Sequence, residues 1–242
     1  MATGAGHDMI KGIIFDKDGT LFDFNATWGL WARGMLAAET GGDAALFARL
    51  AVALGYDVEA NRFRPGSVVI ASTAGEVASV IQSVIPDLDR DDLLERMNAA
   101  AAGVSQVEAV PLRRYYQELQ ATGLKLGIAT NDAEAPARRH LERAGVDHVF
   151  DFIAGYDSGF GAKPGPGQLL AFCEATGLAP QDCLMVGDST HDLFAGRAAG
   201  MCTVAVLTGP APDHELRPHA DAVLDNIGEI PGWIAQEYPR AF

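Results

Sequence analysis

Asp16 and Asp18 follow the apolar run Ile13-Ile14-Phe15 and stand one residue apart, just before Gly19-Thr20. On a strand, residues i and i+2 face the same way, so this spacing predicts two carboxylates aimed at one spot. Gly19 lets the backbone turn there at low steric cost. Two carboxylates converging at the end of a buried strand repel each other unless a proton, a cation or solvent intervenes. Three later apolar runs stop in the same abrupt way. Residues 124–129 lead into Thr130-Asn131-Asp132, and residues 183–186 lead into Gly187-Asp188-Ser189-Thr190-His191-Asp192. Residues 152–154 precede the glycine-rich loop 159–167, which carries Lys163. Four loops thus offer acids, one hydroxyl and one ammonium.

The elements that must position these groups follow from the periodicity. Strands are expected at residues 10–15, 124–129, 152–154, 183–186, 203–206 and 222–224, with single helices between those beyond Pro111. Strands alternating with single helices require right-handed crossovers and a parallel sheet covered on both faces, and ligands then bind beyond the strands' carboxyl ends. Between Asp23 and Ser105 the pattern is helical throughout. Trp28, Trp31 and Met35 recur at helical spacing, Thr73 with Glu76 forms a capping box, and Asp89 opens a helix carrying Leu93, Leu94 and Met97. No strand is expected there, and residues 55–66 read as a loop. The fold class is therefore α/β: a Rossmann-like parallel sheet with an inserted all-helical domain. The core would comprise residues 1–22 and 108–242, and the insertion residues 23–107.

The 242 residues, 48% hydrophobic and 21% charged, suit one large domain with an insertion. A formal charge of −14, from 18 basic and 32 acidic residues, argues against a nucleic-acid surface. An anionic substrate would have to be attracted locally, by a metal or a few placed cations. No apolar stretch approaches the roughly 18 residues that would span a bilayer, so no membrane partner is expected. Residues 1–8 lack the charged and apolar regions of a signal peptide and read as a short flexible tail. Cys173, Cys183 and Cys202 are odd in number and form no CxxC pair, which favours reduced thiols and a cytoplasmic location.

Taken together, Asp16-Lys17-Asp18-Gly19-Thr20, Thr130, Lys163-Pro164 and the GDxxxD run from Gly187 to Asp192 resemble the four motifs of the haloacid dehalogenase-like hydrolase superfamily, in its capped phosphatase branch. The resemblance covers the chain from about Met9 to Leu224, and the helical insertion resembles the family's cap. It implies a Mg²⁺-dependent phosphatase for a small phosphorylated metabolite, with phosphoglycolate phosphatase-like enzymes as the general match and 2-phosphoglycolate as the leading substrate. Asp16 would be the nucleophile, forming an aspartyl-phosphate. Asp18 would be the general acid and then the base. Mg²⁺ would be held by Asp16, the main-chain carbonyl of Asp18 and Asp188, with Asp192 in support. Thr130 and Lys163 would bind the phosphoryl group, and the Asn131 N–H could touch it.

Each motif has a plainer reading. An isolated Asp-x-Asp-Gly is more often a turn or a calcium-loop fragment, Lys163 could be a solvated loop lysine, and Thr130 could merely cap a helix. The joint occurrence at separate strand ends favours chemistry. Lys17 departs from the family's usual apolar residue and is expected to point away from Asp16 and Asp18. Trp28 and Trp31 read as core, His191 as an exposed helix start, and Asp132 as a turn residue. Arg64, in the loop 55–66, is the candidate for a substrate carboxylate, against a solvated reading. A sugar-phosphate mutase of the same fold is the alternative enzyme. A phosphoryl-accepting signalling or binding module is the alternative of another class, although receiver domains are shorter and lack an insertion after the first strand. The sequence leaves the oligomeric state open.

Overall fold

A computed structural model describes residues 9–64, 66–70 and 72–239, and the tail expected at residues 1–8 lies outside them. Strand β1 (Gly12–Phe15) is followed by helices α1 (Phe24–Thr40) and α2 (Ala44–Ala53), short strands β2 (Tyr56–Asp57) and β3 (Arg62–Phe63), and helices α3 (Ala74–Val84) and α4 (Arg90–Ala102). Helix α5 (Leu112–Gln120), strand β4 (Lys125–Ala129), helix α6 (Glu134–Ala144), strand β5 (Phe152–Ala154) and helix α7 (Gly167–Thr176) come next. The chain continues through β6 (Cys183–Gly187), α8 (Thr190–Ala199), β7 (Cys202–Val206), α9 (Asp213–Leu216), β8 (Ala222–Leu224) and α10 (Ile230–Glu237).

Six strands form one parallel sheet in the order β5-β4-β1-β6-β7-β8. Every side chain of β1 is buried, as a strand covered on both faces requires. Alternation divides those side chains between two layers. Ile13 and Phe15 join Tyr116 and Leu119 of α5 and Ile230 and Ile234 of α10. Ile14 joins Leu169 and Phe172 of α7 and Ala195 and Ala199 of α8. Because β1 lies between β4 and β6, the strand order reverses at β1, which is where open α/β sheets bind ligands. The register is direct: Phe15 pairs with Ile128 on one side and Val186 on the other. Asp16 therefore emerges level with Ala129 and Gly187, and Thr130 and Asp188 follow one residue further along on the two neighbouring strands.

The insertion leaves at Phe22 and returns at Glu108 through a two-way pairing. Asp23 N–H donates to the Val107 carbonyl and Ala109 N–H to the Leu21 carbonyl, each at 2.8 Å. Its helices share a hydrophobic cluster of their own, centred on Leu36, Leu50, Ile81, Leu93 and Met97. The capping box expected at Thr73 and Glu76 is present, with Thr73 N–H donating to Glu76 Oε2 at 2.7 Å. Asp89 accepts from the N–H groups of Asp91 and Asp92 at the start of α4.

One expectation is corrected. The insertion is not all-helical, because β2 and β3 form a small antiparallel hairpin in which Tyr56 pairs with Phe63. Two-residue strands are too short to show an alternating pattern. Their turn is made locally instead: Asp57 Oδ1 accepts from Glu59 and Ala60 N–H, and Asn61 adopts a left-handed φ of 50°.

Candidate active site

Asp16 follows β1 directly and is buried, as are Asp188 after β6 and Asp192 in the first turn of α8. One carboxylate oxygen from each lies within 4.8 Å of the others. Lys163 reaches this cluster from the loop after β5. Its ammonium donates to Asp16 Oδ1 and to Asp192 Oδ1, both at 2.6 Å. The loop is held by Asn131, whose Oδ1 accepts from Lys163 N–H and whose Nδ2 donates to the Lys163 carbonyl, each at 2.9 Å. The second oxygen of Asp192 accepts from the N–H and hydroxyl of Ser189, closing a capping box on α8. Both oxygens of Asp192 are thus engaged, and its orientation is fixed.

Two glycines permit this crowding. Gly19 has φ +84°, and a Cβ there would lie 2.3 Å from Asp188 Oδ2. A Cβ on Gly187 would lie 2.3 Å from the Asp192 side chain. Any larger residue would push the acids apart.

Three buried carboxylates share a single ammonium, and their electrostatics show the shortfall. Burial raises the Asp16 pKa to about 7, with Lys163 pulling it down and Asp192 and Asp18 pushing it up. Burial also lifts Asp188 well above the usual carboxylate range, reinforced by Asp16 and Asp192. For Lys163, burial opposes the charge, but Asp16 and Asp192 outweigh it and raise its pKa. A hard divalent cation with oxygen ligands fits this donor set, because it supplies the charge that one ammonium cannot.

Asp18 stands beside the cluster rather than within it. Its Oδ2 accepts from the Lys17 ammonium at 2.5 Å and its Oδ1 from the Trp28 indole N–H at 2.9 Å. The expectation that Lys17 points away is overturned. The chain leaves strand geometry after Phe15, so alternation no longer governs residue 17. Lys17 is fully buried, 3.3 Å from Asp132 and 3.1 Å from His140 Nδ1, with the Trp28 ring 5.5 Å away. Burial lowers the His140 pKa to about 4, helped by the Lys17 charge, so the ring is neutral at ordinary pH. Its Nδ1 then accepts from Lys17 and Gln106, and its Nε2–H donates to the Ala101 carbonyl of α4 at 2.9 Å.

Above these groups lies a cavity of about 110 Å³, enough for a small molecule. Asp16, Asp18, Thr130, Lys163, Asp188 and Asp192 line its floor, together with Asn131 and His191. The hydroxyl of Thr130, besides lining the cavity, accepts from Asp132 N–H at 3.0 Å. The insertion supplies the opposite wall, including Trp28 and Trp31. Trp28 therefore belongs both to the insertion's core and to the site, and His191 is half-buried there rather than exposed. Arg64 is not brought to the cavity. Its side chain is 63% exposed and lies 3.9 Å from Asp57.

The acid cluster lies at the strand-order switch of a doubly wound α/β sheet, where such folds bind ligands. A family model described as haloacid dehalogenase-like hydrolase matches residues 10–200, and the chain belongs to this family. A phosphoglycolate phosphatase of Xylella fastidiosa (strain Temecula1) is 32% identical over 226 residues, 91% of either chain. The structure described as a predicted phosphoglycolate phosphatase from Haemophilus somnus superposes with a TM-score of 0.69 at 21% identity, over 94% of this chain and 99% of that one. A β-phosphoglucomutase from Clostridium difficile shares the fold, with a TM-score of 0.66 at 20% identity over 96% and 98% of the two chains. The chain is a phosphatase of the hydrolase class. Among the described residues, no helix is long and apolar enough to cross a membrane.

Proposed function

We propose that this protein is a Mg²⁺-dependent phosphomonoesterase that hydrolyses a small phosphorylated metabolite through an aspartyl-phosphate on Asp16. The observation that carries the reading is the Lys163 ammonium bridging Asp16 and Asp192 beside Asp188, with Asp18 at the same cavity. An Asp16 oxygen attacks phosphorus while the bond to the leaving oxygen breaks, and Asp18 gives that oxygen its proton. Asp18 then takes a proton from water as the water attacks phosphorus, which releases phosphate and frees Asp16. Lys163 and Thr130 hold phosphoryl oxygens and balance developing charge. Asp16, Asp188 and the Asp18 main-chain carbonyl would hold Mg²⁺, with Asp192 supporting the site through its fixed orientation. When bound, the ion neutralises acid repulsion and phosphoryl charge.

Residues 23–107 act in this proposal as a cap over the core formed by residues 1–22 and 108–242. The paired crossing at Phe22 and Glu108 supports that division. Closure would exclude water and large substrates. A cytoplasmic setting fits the three free cysteines. The names of the relatives make 2-phosphoglycolate the first metabolite to assay.

The test is release of inorganic phosphate from p-nitrophenyl phosphate and a panel of phosphorylated metabolites, with Mg²⁺ and with EDTA. The proposal predicts turnover that EDTA abolishes and Mg²⁺ restores. Activity indifferent to EDTA, or none on any phosphomonoester, would contradict it.

A further inference from the structure

The substrate's alcohol must occupy the half of the cavity that faces the insertion. That wall is made by Phe24, Trp28, Trp31, Val69, Val77 and Met97, with Ser72 and Asn98 as polar members. All basic residues of the insertion are arginines, and none of them lines the cavity. Arg33 donates to Val58 and Asn61, Arg90 to Gly75 and Ser79, and Arg96 to Glu39. Arg64 faces Asp57, while Arg49 and Arg62 are exposed. The one lysine that lines the cavity, Lys163, is held by Asp16 and Asp192 on the floor.

A substrate carboxylate in this half would face an apolar wall, and the fixed cation of the floor, Lys163, is already held by Asp16 and Asp192, which leaves His191 as the one other basic side chain of the lining. It would give up its hydration with no arginine or free lysine to receive it, which is costly. An apolar or aromatic alcohol would instead gain from burial against the wall. We propose, resting on the phosphatase reading, that the wall formed by Phe24, Trp28, Trp31, Val69, Val77 and Met97 selects phosphomonoesters of uncharged apolar or aromatic alcohols over carboxylated ones such as 2-phosphoglycolate.

The experiment measures kcat/KM of the full-length protein with Mg²⁺ for benzyl phosphate and 2-phosphoglycolate, and for ethyl, propyl and butyl phosphate. Benzyl phosphate is expected to exceed 2-phosphoglycolate by about tenfold or more. The alkyl series is expected to rise about two- to fourfold per methylene. Ile70→Lys, on the lining loop outside the acid cluster, is expected to raise 2-phosphoglycolate relative to benzyl phosphate by about fivefold or more. Preference for 2-phosphoglycolate in the unmodified protein, or a flat alkyl series, overturns the assignment while leaving the phosphatase reading intact. No turnover of any of these esters, nor of p-nitrophenyl phosphate, overturns both.

Discussion

The indole N–H of Trp28 donates to Asp18 Oδ1 at 2.9 Å, so a residue of the first insertion helix holds the carboxylate proposed as acid and base. The other oxygen of Asp18 is held by Lys17, a core residue. Asp18 is therefore oriented jointly by the two parts of the chain, and movement of α1 would change what its carboxylate can reach. Trp28→Phe keeps the ring and deletes this donor. A hydrogen bond to a charged group contributes about 1.5–3 kcal/mol, which bounds the effect at about 10- to 160-fold. Steady-state kinetics should show kcat on p-nitrophenyl phosphate falling about tenfold with KM little changed. An unchanged kcat would show that Trp28 does not position Asp18.

Lys17 should matter to stability more than its place beside the nucleophile suggests. Lys17→Met leaves Asp18 and Asp132 without their shared cation, and stranding a buried charge costs about 3–5 kcal/mol. Urea denaturation should show a loss of that order. The double variant Lys17→Met with Asp132→Asn should recover part of it, because one stranded carboxylate is gone. If the single variant loses less than about 1 kcal/mol, the buried pair is not structural.

His140 gives the fold a sign-definite pH dependence. Its pKa is depressed to about 4 in the folded chain, against about 6.5 when unfolded, so the unfolded state binds more protons between these values. The stability held by the neutral ring is complete above pH 6.5 and is lost as pH falls towards 4. The loss reaches about 3 kcal/mol. Comparison of the protein with His140→Gln across pH 4–7 should show the variant's stability falling less steeply with acid. Parallel curves would assign the acid sensitivity elsewhere.

The strand-end acids are legible in the sequence because an apolar run that stops at Asp, Thr or Gly-Asp marks both a buried strand and its exit point. Parallel register then does the rest, since Phe15 pairs with Ile128 on one side and Val186 on the other. What could not be read depends on contacts distant in sequence. Lys17 turns inward only because Asp132 and His140, more than a hundred residues on, await it. Trp28 shows helical core spacing whether or not its indole N–H finds Asp18. Arg64 sits in a loop whose hairpin turns it out towards Asp57, a direction that loop composition does not encode. A charged residue wedged between two motif acids was the available sign, because such a lysine is either solvated or paired on several sides.

Lys163 should be needed for chemistry rather than for folding alone. Lys163→Met removes the cation shared by Asp16 and Asp192, and loss of one electrostatic contact to a transferring group lowers kcat by about 10²–10³. The matched check is Lys163→Arg, which keeps the charge but not the compact geometry and should recover only part of the rate. Equal activity in all three proteins would remove Lys163 from the site.

The central claim, that Asp16 takes the phosphoryl group, is tested by acid-quenching the Asp18→Asn variant during reaction with p-nitrophenyl phosphate and mapping phosphate by mass spectrometry. Nitrophenolate leaves without a general acid, whereas hydrolysis of the acyl phosphate needs Asp18 as base, so the intermediate should accumulate. The account predicts a phosphorylated peptide with the phosphate on Asp16, absent when Asp16→Asn is added. Phosphate on another residue, or steady turnover with no phosphopeptide, would contradict it.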